Sequence, residues 1–308
     1  LREAQRLWPH LKTIGVVWNP TESNSEACTL KAREVCRALG LELLEATVDQ
    51  SKDVREAADS LVARGVQAFW TGADVTVASA TIALYETALK ARIPVFSNTT
   101  GQVRDGTLFD LGANYREVGH RTGGLAASIL DGQDPATVTI INFMPERVML
   151  NRQILKKMRD PWRFPDDLVA RADLIIGEDG QIEKGAATHG IKSPPAVPAM
   201  ETSAAEPAAR AASAARQPLA KRWRIQEVSY SESIIVEDAM RGFRDGLKEA
   251  GLAEGRDFTI KALSAEGDMA TLGSLFDSAR TAGTDLYVVF STPTLQIALQ
   301  KVRETPLL

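Results

Sequence analysis

Two stretches of the chain repeat the same order of predicted elements, in which strands alternate with helices. The first stretch covers residues 12–96, and the second occupies the last part of the chain. Ile14 lies 26 residues before Gly40, which ends the first predicted helix, and Ile225 lies 26 residues before Gly251. Alternating strands and helices with short connections are typical of a parallel sheet covered by helices on both faces. We therefore predict an α/β fold with two Rossmann-like, doubly wound parallel-sheet lobes.

The strand candidates are short, continuous and apolar, as expected for parallel strands whose two faces are both buried. In the first stretch we predict strands at residues 13–18, 41–48, 66–70 and 93–97 and helices at 25–39, 54–64 and 75–91. After it we predict a strand at 108–112, a helix at 115–130, a strand at 138–143 and short helices at 149–158 and 165–172. In the second stretch, which begins at residue 223, we predict helices at 233–250, 269–282 and 293–303 and strands at 257–262 and 286–290.

A segment of different composition separates the two repeats. Residues 185–220 contain thirteen alanines and five prolines, and no aromatic residue occurs between Phe164 and Trp223. So few large apolar side chains do not offset the entropy lost on ordering the chain. We therefore predict three parts: an α/β lobe with a crossover tail at 1–177, a linker at 178–221 and a truncated α/β lobe at 222–308.

Composition excludes several classes of protein. The net charge of −4 and the absence of a basic stripe argue against a nucleic-acid binder. No apolar run approaches the roughly 18 residues that a membrane-spanning helix needs. We expect a globular protein that does not span a membrane in this segment and that has no nucleic-acid partner.

Polar residues cluster where the predicted strands end. In open α/β sheets, ligands bind beyond the carboxyl ends of the strands. In this chain those ends fall at residues 19–25, 71–76, 97–100, 114–115, 229–232, 265–268 and 291–294, which are rich in Ser, Thr and Asn. Such side chains suit hydrogen bonding to a small polar ligand better than they suit proton transfer.

Several of these residues have a structural alternative. Asp74 precedes a predicted helix, so it either caps that helix or binds an ammonium group of a ligand. The hydroxyl groups of Ser23 and Ser25 either cap a helix or face a carboxylate, and Ser291 is a similar case. Trp18 ends an apolar strand and either stacks on a ligand or packs in the core.

Motifs for catalysis are absent from the sequence. It contains no G-x-G-x-x-G after a strand, no G-x-x-x-x-G-K-[ST] and no G-x-S-x-G. The three histidines, His10, His120 and His189, are scattered and show no metal-ligand spacing. We therefore predict neither a catalytic residue nor a metal or cofactor site.

Several segments of the two stretches together carry a resemblance to one protein family. In the first stretch they are residues 14–20 (IGVVWNP), 74–79 (DVTVAS), 93–97 (IPVFS) and 112–115 (GANY). In the second stretch they are residues 239–251, 254–255, 266–268 and 291–293. With these segments the chain resembles the ABC-transporter substrate-binding proteins of the tryptophan-binding, TrpX-like type, and the resemblance extends over nearly the whole chain outside the linker.

The order of the two lobes differs from that of the family. The first lobe of this chain resembles the family's C-terminal lobe, and the second resembles its N-terminal lobe. The simplest hypothesis is a tandem fusion, in which this chain holds the C-lobe of one copy and the N-lobe of the next; a circular permutation is the alternative. The implied fold is that of a type I periplasmic binding protein, whose two lobes close on a ligand about a hinge.

The resemblance also implies a function. A protein of this type is the solute-binding component of an ABC importer. It captures a small polar ligand, with amino acids among the candidates, and delivers it to an ABC permease. The implied location is periplasmic or lipid-anchored on the extracytoplasmic side, with any signal peptide outside this segment, and no enzymatic activity is implied.

The ligand-binding residues that we predict match cleft positions of the family or adjoin them: Asn19, Ser25, Asp74, Thr76, Ser97, Asn98, Asn114, Tyr230, Ser291 and Thr292. The chain departs from the family at Asn98 and Asn114, where acidic residues are expected. The loss of two carboxylates weakens the case for an amino-acid ammonium group and leaves the ligand open.

Two other classes of function share this kind of fold. One is a ligand-sensing effector domain of a regulator or receptor, which a helix-turn-helix or a membrane segment beyond either end would favour. The other is an α/β enzyme, which would need phosphate ligands or a pair of catalytic carboxylates. We favour solute binding over both.

Overall fold

The predicted strands form two separate sheets in the computed structural model of this protein, which describes residues 1–184, 219 and 221–308. The chain divides into two units. The first contains residues 1–114 and 143–184, and the second contains Tyr115–Asn142, residue 219 and residues 221–308. The predicted α/β class is confirmed.

The first unit contains one sheet of eight strands. They are β1 (Thr13–Trp18), β2 (Glu42–Thr47), β3 (Ala68–Thr71), β4 (Val95–Ser97), β5 (Phe109–Ala113), β6 (Glu146–Asn151), β7 (Leu174–Ile176) and β8 (Ile182–Lys184). Their order in the sheet is β2-β1-β3-β4-β5-β6-β7-β8. The first five strands are parallel to one another, whereas β6 is antiparallel to β5 and β8 is antiparallel to β7.

Helices cover both faces of this sheet. They are α1 (Arg2–Leu7), α2 (Ser23–Leu39), α3 (Val54–Ala63), α4 (Val75–Ala78), α5 (Thr81–Lys90), α7 (Arg152–Leu155) and α8 (Asp166–Arg171). Successive residues of a strand point to opposite faces. Trp70 accordingly packs in the cluster that includes α1, α2 and α8, whereas Phe69 packs in the cluster that includes α3 and α5.

The second unit contains a smaller parallel sheet. Its strands are β9 (Trp223–Ser229), β10 (Phe258–Ser264) and β11 (Leu286–Phe290), in the order β10-β9-β11. Its helices are α6 (Tyr115–Leu130), α9 (Ile234–Glu249), α10 (Met269–Thr281) and α11 (Thr292–Lys301). Residues 306–308 run parallel to β11, where the amide of Tyr287 donates to the carbonyl of Pro306 at 2.9 Å. The order β10-β9-β11 repeats the order β2-β1-β3 of the first unit.

Glycines allow α6 and α9 to pack backbone against backbone. A Cβ atom added to Gly119 would lie 1.9 Å from the carbonyl oxygen of Ala239, and one added to Gly123 would lie 2.2 Å from that of Phe243. From the other helix, a Cβ atom on Gly242 would lie 1.9 Å from the carbonyl oxygen of Arg116. Only glycine fits at these positions.

Three predicted elements differ from the structure. The predicted strand at 138–143 is irregular, and the side chain of Ile140 is 98% exposed. The strand that enters the sheet next is β6, which begins at Glu146 and occupies the start of the predicted helix at 149–158. There Met149 and Leu150 pair with β5. The predicted helix at 75–91 consists of two helices, α4 and α5.

The predicted domain boundaries remain a prediction. Most of the predicted linker at 178–221 lies outside the described residues. The structure adds that α6, inside the predicted lobe at 1–177, belongs to the second unit.

Candidate functional site

The carboxyl ends of four neighbouring strands form one edge of the sheet in the first unit. Strands β1, β3, β4 and β5 end at Trp18, Thr71, Ser97 and Ala113. Because the strands are parallel and adjacent, the loops that follow them meet at this edge. We refer to the loops at residues 19–22, 72–74, 98–101 and 114, together with the first turn of α2, as the carboxyl edge.

Asp74 organises the middle of the carboxyl edge. Its carboxylate accepts hydrogen bonds from the amide of Asn19 at 2.6 Å, the hydroxyl of Ser25 at 2.5 Å and the amide of Val77 at 2.7 Å. The bond from Val77 caps the N-terminus of α4. The sequence allowed two interpretations of Asp74, a helix cap or a contact with an ammonium group of a ligand, and this geometry supports the helix cap.

Glu22 makes a second network beside the first. Its carboxylate accepts hydrogen bonds from the amides of Val75 and Thr76 at 2.7 and 2.9 Å and from the hydroxyl of Thr76 at 2.6 Å. The hydroxyl of Thr76 also accepts a hydrogen bond from the side-chain amide of Asn19 at 2.9 Å. The two networks therefore join the loops after β1 and β3 into one polar cluster.

The environment of Asp74 opposes its ionisation. Burial raises the pKa of this carboxyl above its ordinary value, against the lowering effect of the hydrogen bonds from Ser25, Val77 and Asn19. The charge of Glu22 raises the pKa of Asp74 further. Since Asp74 is only 6% exposed and already accepts three hydrogen bonds, it offers little to a ligand.

The loop after β4 is fixed from several sides. The hydroxyl of Ser97 accepts a hydrogen bond from the amide of Thr99 at 2.9 Å, and the hydroxyl of Thr100 donates to the carbonyl of Ala113 at 3.0 Å. Gly112 touches the backbone of this loop so closely that an added Cβ atom would lie 1.9 Å from the carbonyl oxygen of Asn98. These contacts fix the position of the Asn98 backbone.

Two side-chain oxygens at the carboxyl edge are buried and have no hydrogen-bond partner among the described residues: Oδ1 of Asn98 and Oδ1 of Asn24. Asn24 lies in the first turn of α2, and its side-chain NH2 group donates to the carbonyl of Ala73 at 2.7 Å. A buried acceptor without a partner is costly, so each of these oxygens is a position where a ligand or a water molecule would donate.

In the second unit, Ser291 lies in an unusual backbone conformation between β11 and α11. Its φ of 78° and ψ of 153° belong to a region that is normally restricted to glycine. Its hydroxyl pairs with that of Thr294 at 3.0 Å, and Thr292 begins α11. Such strain is common at ligand-binding sites and requires support from the surrounding structure.

Tyr230 follows β9 in the same unit, and its hydroxyl donates to the carbonyl of Gly267. The carboxyl group of Asp268, next in the chain, accepts a hydrogen bond from the amide of Thr271 and caps α10. Tyr230 therefore holds the loop that precedes α10.

The structure thus divides the predicted residues into groups. Asn19, Ser25, Asp74 and Thr76 form the cluster between the loops after β1 and β3, and Ser97, Asn98 and Asn114 follow β4 and β5. Tyr230, Ser291 and Thr292 lie after β9 and β11 of the second unit. Their role as ligand-binding residues remains a prediction.

Sequence analysis missed Glu22 and the free oxygen of Asn24. A carboxylate directly before a serine at the start of a helix was the only sign of Glu22, because its partners lie more than fifty residues away. Trp18, for which stacking on a ligand was one alternative, packs in the core together with Trp70, and each is 7% exposed.

Among the described residues, no cluster of His, Cys, Asp or Glu side chains is arranged to hold a metal ion. In the same part of the chain, no helix has the length and apolar character needed to cross a membrane.

Comparison with known proteins places the first part of the chain in a family. The family model described as ABC transporter substrate binding protein matches residues 3–175, more than half of the chain. A curated protein named tyrosine-binding protein, from Clostridioides difficile (strain R20291), is 25% identical over 158 residues. That alignment covers 51% of this chain and 46% of the relative, so the chain spans about half the length of that protein.

Solved structures show the same fold. The structure of an ABC domain in complex with L-Trp, from Streptococcus pneumonia, is 21% identical with a TM-score of 0.52 and covers 57% of this chain and 58% of that one. An ABC transporter solute-binding protein from Burkholderia graminis C4D1M, in complex with D-arabinose, is 9% identical with a TM-score of 0.55. It covers 95% of this chain and 70% of that one. At these identities the likeness shows the fold alone.

Proposed function

This chain belongs to the ABC transporter substrate-binding protein family, and from that premise we propose that it is the solute-binding component of an ABC importer. Its ligand is a small polar solute, and the carboxyl edge of the first unit forms part of the binding site. The observation that carries this assignment is the pair of buried acceptors without a partner, Oδ1 of Asn98 and Oδ1 of Asn24, at the edge where α/β sheets bind ligands.

The rigidity of the carboxyl edge supports this role. Hydrogen bonds to Asp74 and Glu22 fix the loops after β1 and β3, and contacts with Gly112 and Ala113 fix the loop after β4. A site whose polar groups are already in place loses less conformational entropy when it binds a ligand. The internal networks therefore act as the scaffold, and the free acceptors act as the contacts.

The second unit supplies a further set of polar residues, Tyr230, Ser291 and Thr292. The strained backbone at Ser291 places its hydroxyl group directly before α11. We propose these three residues as polar ligand contacts of the second unit, taken by itself.

The proposed partners follow from the family. A substrate-binding protein of an ABC importer releases its solute to an ABC permease, and it works on the extracytoplasmic side of the membrane, either in the periplasm or attached by a lipid. This role requires binding and release but no chemical step.

Replacing Asn98 with alanine tests the proposal. We expect wild-type protein to bind at least one compound in a panel of amino acids, small carboxylates and sugars, measured by isothermal titration calorimetry. Asn98→Ala removes one hydrogen bond to the ligand and is expected to weaken that binding about tenfold, or about 1.4 kcal/mol.

Asn142→Ala is the matched control, because Asn142 is exposed in the irregular segment of the second unit. It should bind like the wild type. Binding by Asn98→Ala that equals wild-type binding would remove Asn98 from the site, and a panel without any binding would contradict the function.

A further inference from the structure

Glu227 is a buried carboxylate in the middle strand of the second unit. It lies on β9, between Ala262 of β10 and Val288 of β11, and it is 8% exposed. Because side chains alternate along a strand, Glu227 lies on the same face as Ile225, which packs in the core cluster that includes α9. A carboxylate at a core-facing position of a central strand requires an explanation, because burial of a charge is costly.

Glu227 differs from the other buried carboxylates that the structure describes. Each of these accepts hydrogen bonds from neighbouring protein groups: Glu3, Asp74, Asp110 and Asp257. Among the described residues, none donates a hydrogen bond to the carboxyl group of Glu227. Its carboxylate is therefore the buried negative charge in this part of the chain that the fold itself leaves uncompensated.

The charges around Glu227 do not neutralise it. Burial raises the pKa of its carboxyl group above the ordinary value, the charge of Arg244 lowers this pKa and the charge of Glu232 raises it. Arg244 is itself close to another carboxylate, since its guanidinium lies 3.7 Å from that of Glu254. A positively charged group beside Glu227 would stabilise the ionised form of its carboxyl group.

Small side chains leave room between Glu227 and the carboxyl ends of the strands. On the same face and nearer to those ends, Ser229 of β9 pairs with Ser264 of β10. Ala262, which pairs with Glu227, has only a methyl group as its side chain and is exposed. Ser229 is followed directly by Tyr230, one of the proposed ligand contacts of this unit. A small charged group can therefore approach the carboxylate from the end of the sheet where ligands bind.

We infer that Glu227 is a specificity-determining residue of the second unit and that it accepts a positively charged nitrogen group of the solute, namely a primary ammonium group. This inference rests on the proposed function and adds a residue to its binding site. A carboxylate without a partner distinguishes an ammonium group from a hydroxyl group, because the ammonium group makes the stronger hydrogen bond and also neutralises the buried charge. A solute without a positive charge would leave the carboxylate uncompensated.

The test compares compounds with and without an amino group. Dissociation constants of the full chain are measured by isothermal titration calorimetry for pairs of compounds: L-tyrosine with 3-(4-hydroxyphenyl)propionic acid, L-leucine with 4-methylpentanoic acid, and 1,4-diaminobutane with 1,4-butanediol. In at least one pair we expect the wild type to bind the amine about tenfold or more tightly than its counterpart, because only the amine pairs with the buried charge.

The variant Glu227→Gln keeps the shape of the side chain and removes its charge. The two dissociation constants of that pair should then agree within about threefold, whereas Glu304→Gln, which removes an exposed carboxylate after α11, should leave their ratio unchanged. Because Glu227→Gln removes a buried charge without a partner, its unfolding temperature should equal or exceed that of the wild type. This second measurement separates a lost contact with the solute from a loss of folding.

Each contrary outcome has a distinct meaning. Wild-type protein that binds both members of a pair equally, or that binds a sugar and no amine, would overturn the inference while supporting solute binding. A preference for the amine that persists in Glu227→Gln would overturn the assignment to Glu227, and so would a clearly lower unfolding temperature of this variant, which would show a partner within the protein. A failure of wild-type protein to bind any of these compounds or any member of the wider panel would overturn the proposed function itself.

Discussion

Asp74 shows how one residue connects folding with the candidate site. Its carboxylate caps α4, fixes the loop after β1 through Asn19 and binds the hydroxyl of Ser25 on α2. Without these bonds the first turn of α2, which carries Asn24, and the loop that carries Ala73 would lose their common support. Asp74 therefore positions the carboxyl edge, and its role as a contact with the solute remains a prediction.

Asp74→Ala should destabilise the first unit by about 3 kcal/mol. The substitution removes a helix cap and leaves three buried or partly buried donors without an acceptor. Urea unfolding followed by circular dichroism measures the change. Asp49→Ala, which removes an exposed carboxylate after β2, is the control and should change stability by less than about 0.5 kcal/mol. Equal effects of the two variants would contradict the role of Asp74.

A second buried carboxyl group predicts how stability depends on pH. Asp110 on β5 is fully buried, and burial raises its pKa to about 7, against hydrogen bonds from Thr107 and the amide of Val103. The folded state therefore keeps a proton that the unfolded chain releases near its ordinary pKa of about 4. This contribution to stability is complete below about pH 4 and is lost as the pH rises through about 7.

We therefore expect the free energy of unfolding to fall by up to about 4 kcal/mol between pH 4 and pH 8 through this one group. Urea titrations of the wild type and of Asp110→Asn across that range isolate the effect, because asparagine does not titrate. Parallel pH profiles for the two proteins would show that Asp110 is ionised in the folded state at all these pH values.

At the scale of single residues, the sequence indicates which residues lie at the strand ends. It does not indicate which of their polar atoms lack a hydrogen-bond partner. Asn19, Ser25, Asp74 and Thr76 follow from the position of the strand ends, and the structure shows that they bond largely to one another. The backbone of the loop that carries Asn98 is contacted by Gly112 of the neighbouring strand β5, a contact that forms only when the strands pair. Such contacts leave no local pattern in the sequence.

At the scale of elements, the helix pair α6 and α9 is the most demanding packing in the second unit. Gly119 and Gly123 face Gly242 and Gly246 at distances that allow no Cβ atom, and Arg116 pairs with Asp245 at 2.6 Å beside them. Below this contact, Phe243 and Leu247 pack with Ala126 and Leu130 in one core cluster. Folding of the second unit therefore requires α6.

Two adjacent glycines of α6 should respond in opposite ways to alanine. Gly123→Ala places a Cβ atom 2.2 Å from the carbonyl oxygen of Phe243 and should destabilise the second unit by about 2 kcal/mol or more. Gly124 has open space around its Cβ position, so Gly124→Ala should stabilise the unit by about 0.5–1 kcal/mol. Thermal unfolding of both variants tests this contrast. Destabilisation of equal size in both would contradict the packing of α6 on α9.

Helices were easier to predict than strands because their hydrogen bonds are local, whereas a strand needs a partner. The helix predicted at 115–130 agrees with α6. The predicted strand at 138–143 has a suitable apolar pattern but no partner strand among the described residues. The segment predicted as a helix from Met149 begins as β6, because β5 offers it an edge to pair with.

At the scale of the whole chain, the second unit is built from two segments that are distant in the sequence. Residues Tyr115–Asn142 supply α6, and the strands come from residues beyond 221. The predicted linker lies between these two parts of the chain, together with residues 143–177 of the first unit. A break in the linker therefore does not remove the contact between α6 and α9.

Cleavage within residues 185–220 should leave two fragments that stay together. Limited proteolysis followed by size-exclusion chromatography under native conditions should recover both fragments in one peak, because α6 of the first remains packed on α9 of the second. The Gly123→Ala variant should weaken this association, whereas Gly124→Ala should retain it. Cleavage that starts inside either sheet would contradict the predicted linker, and separation of the wild-type fragments would contradict the helix contact.

Solute binding is the central claim, and thermal unfolding in the presence of a solute panel tests it most directly. A ligand at 100 times its dissociation constant adds about 2.7 kcal/mol to the stability of the folded protein. We predict a clear rise in the unfolding temperature with one class of small polar solute, and a smaller rise for Asn98→Ala with the same compound. If no sugar, polyol, amide, amino acid or small carboxylate at millimolar concentration changes the unfolding temperature, the claim that this chain binds a solute is contradicted.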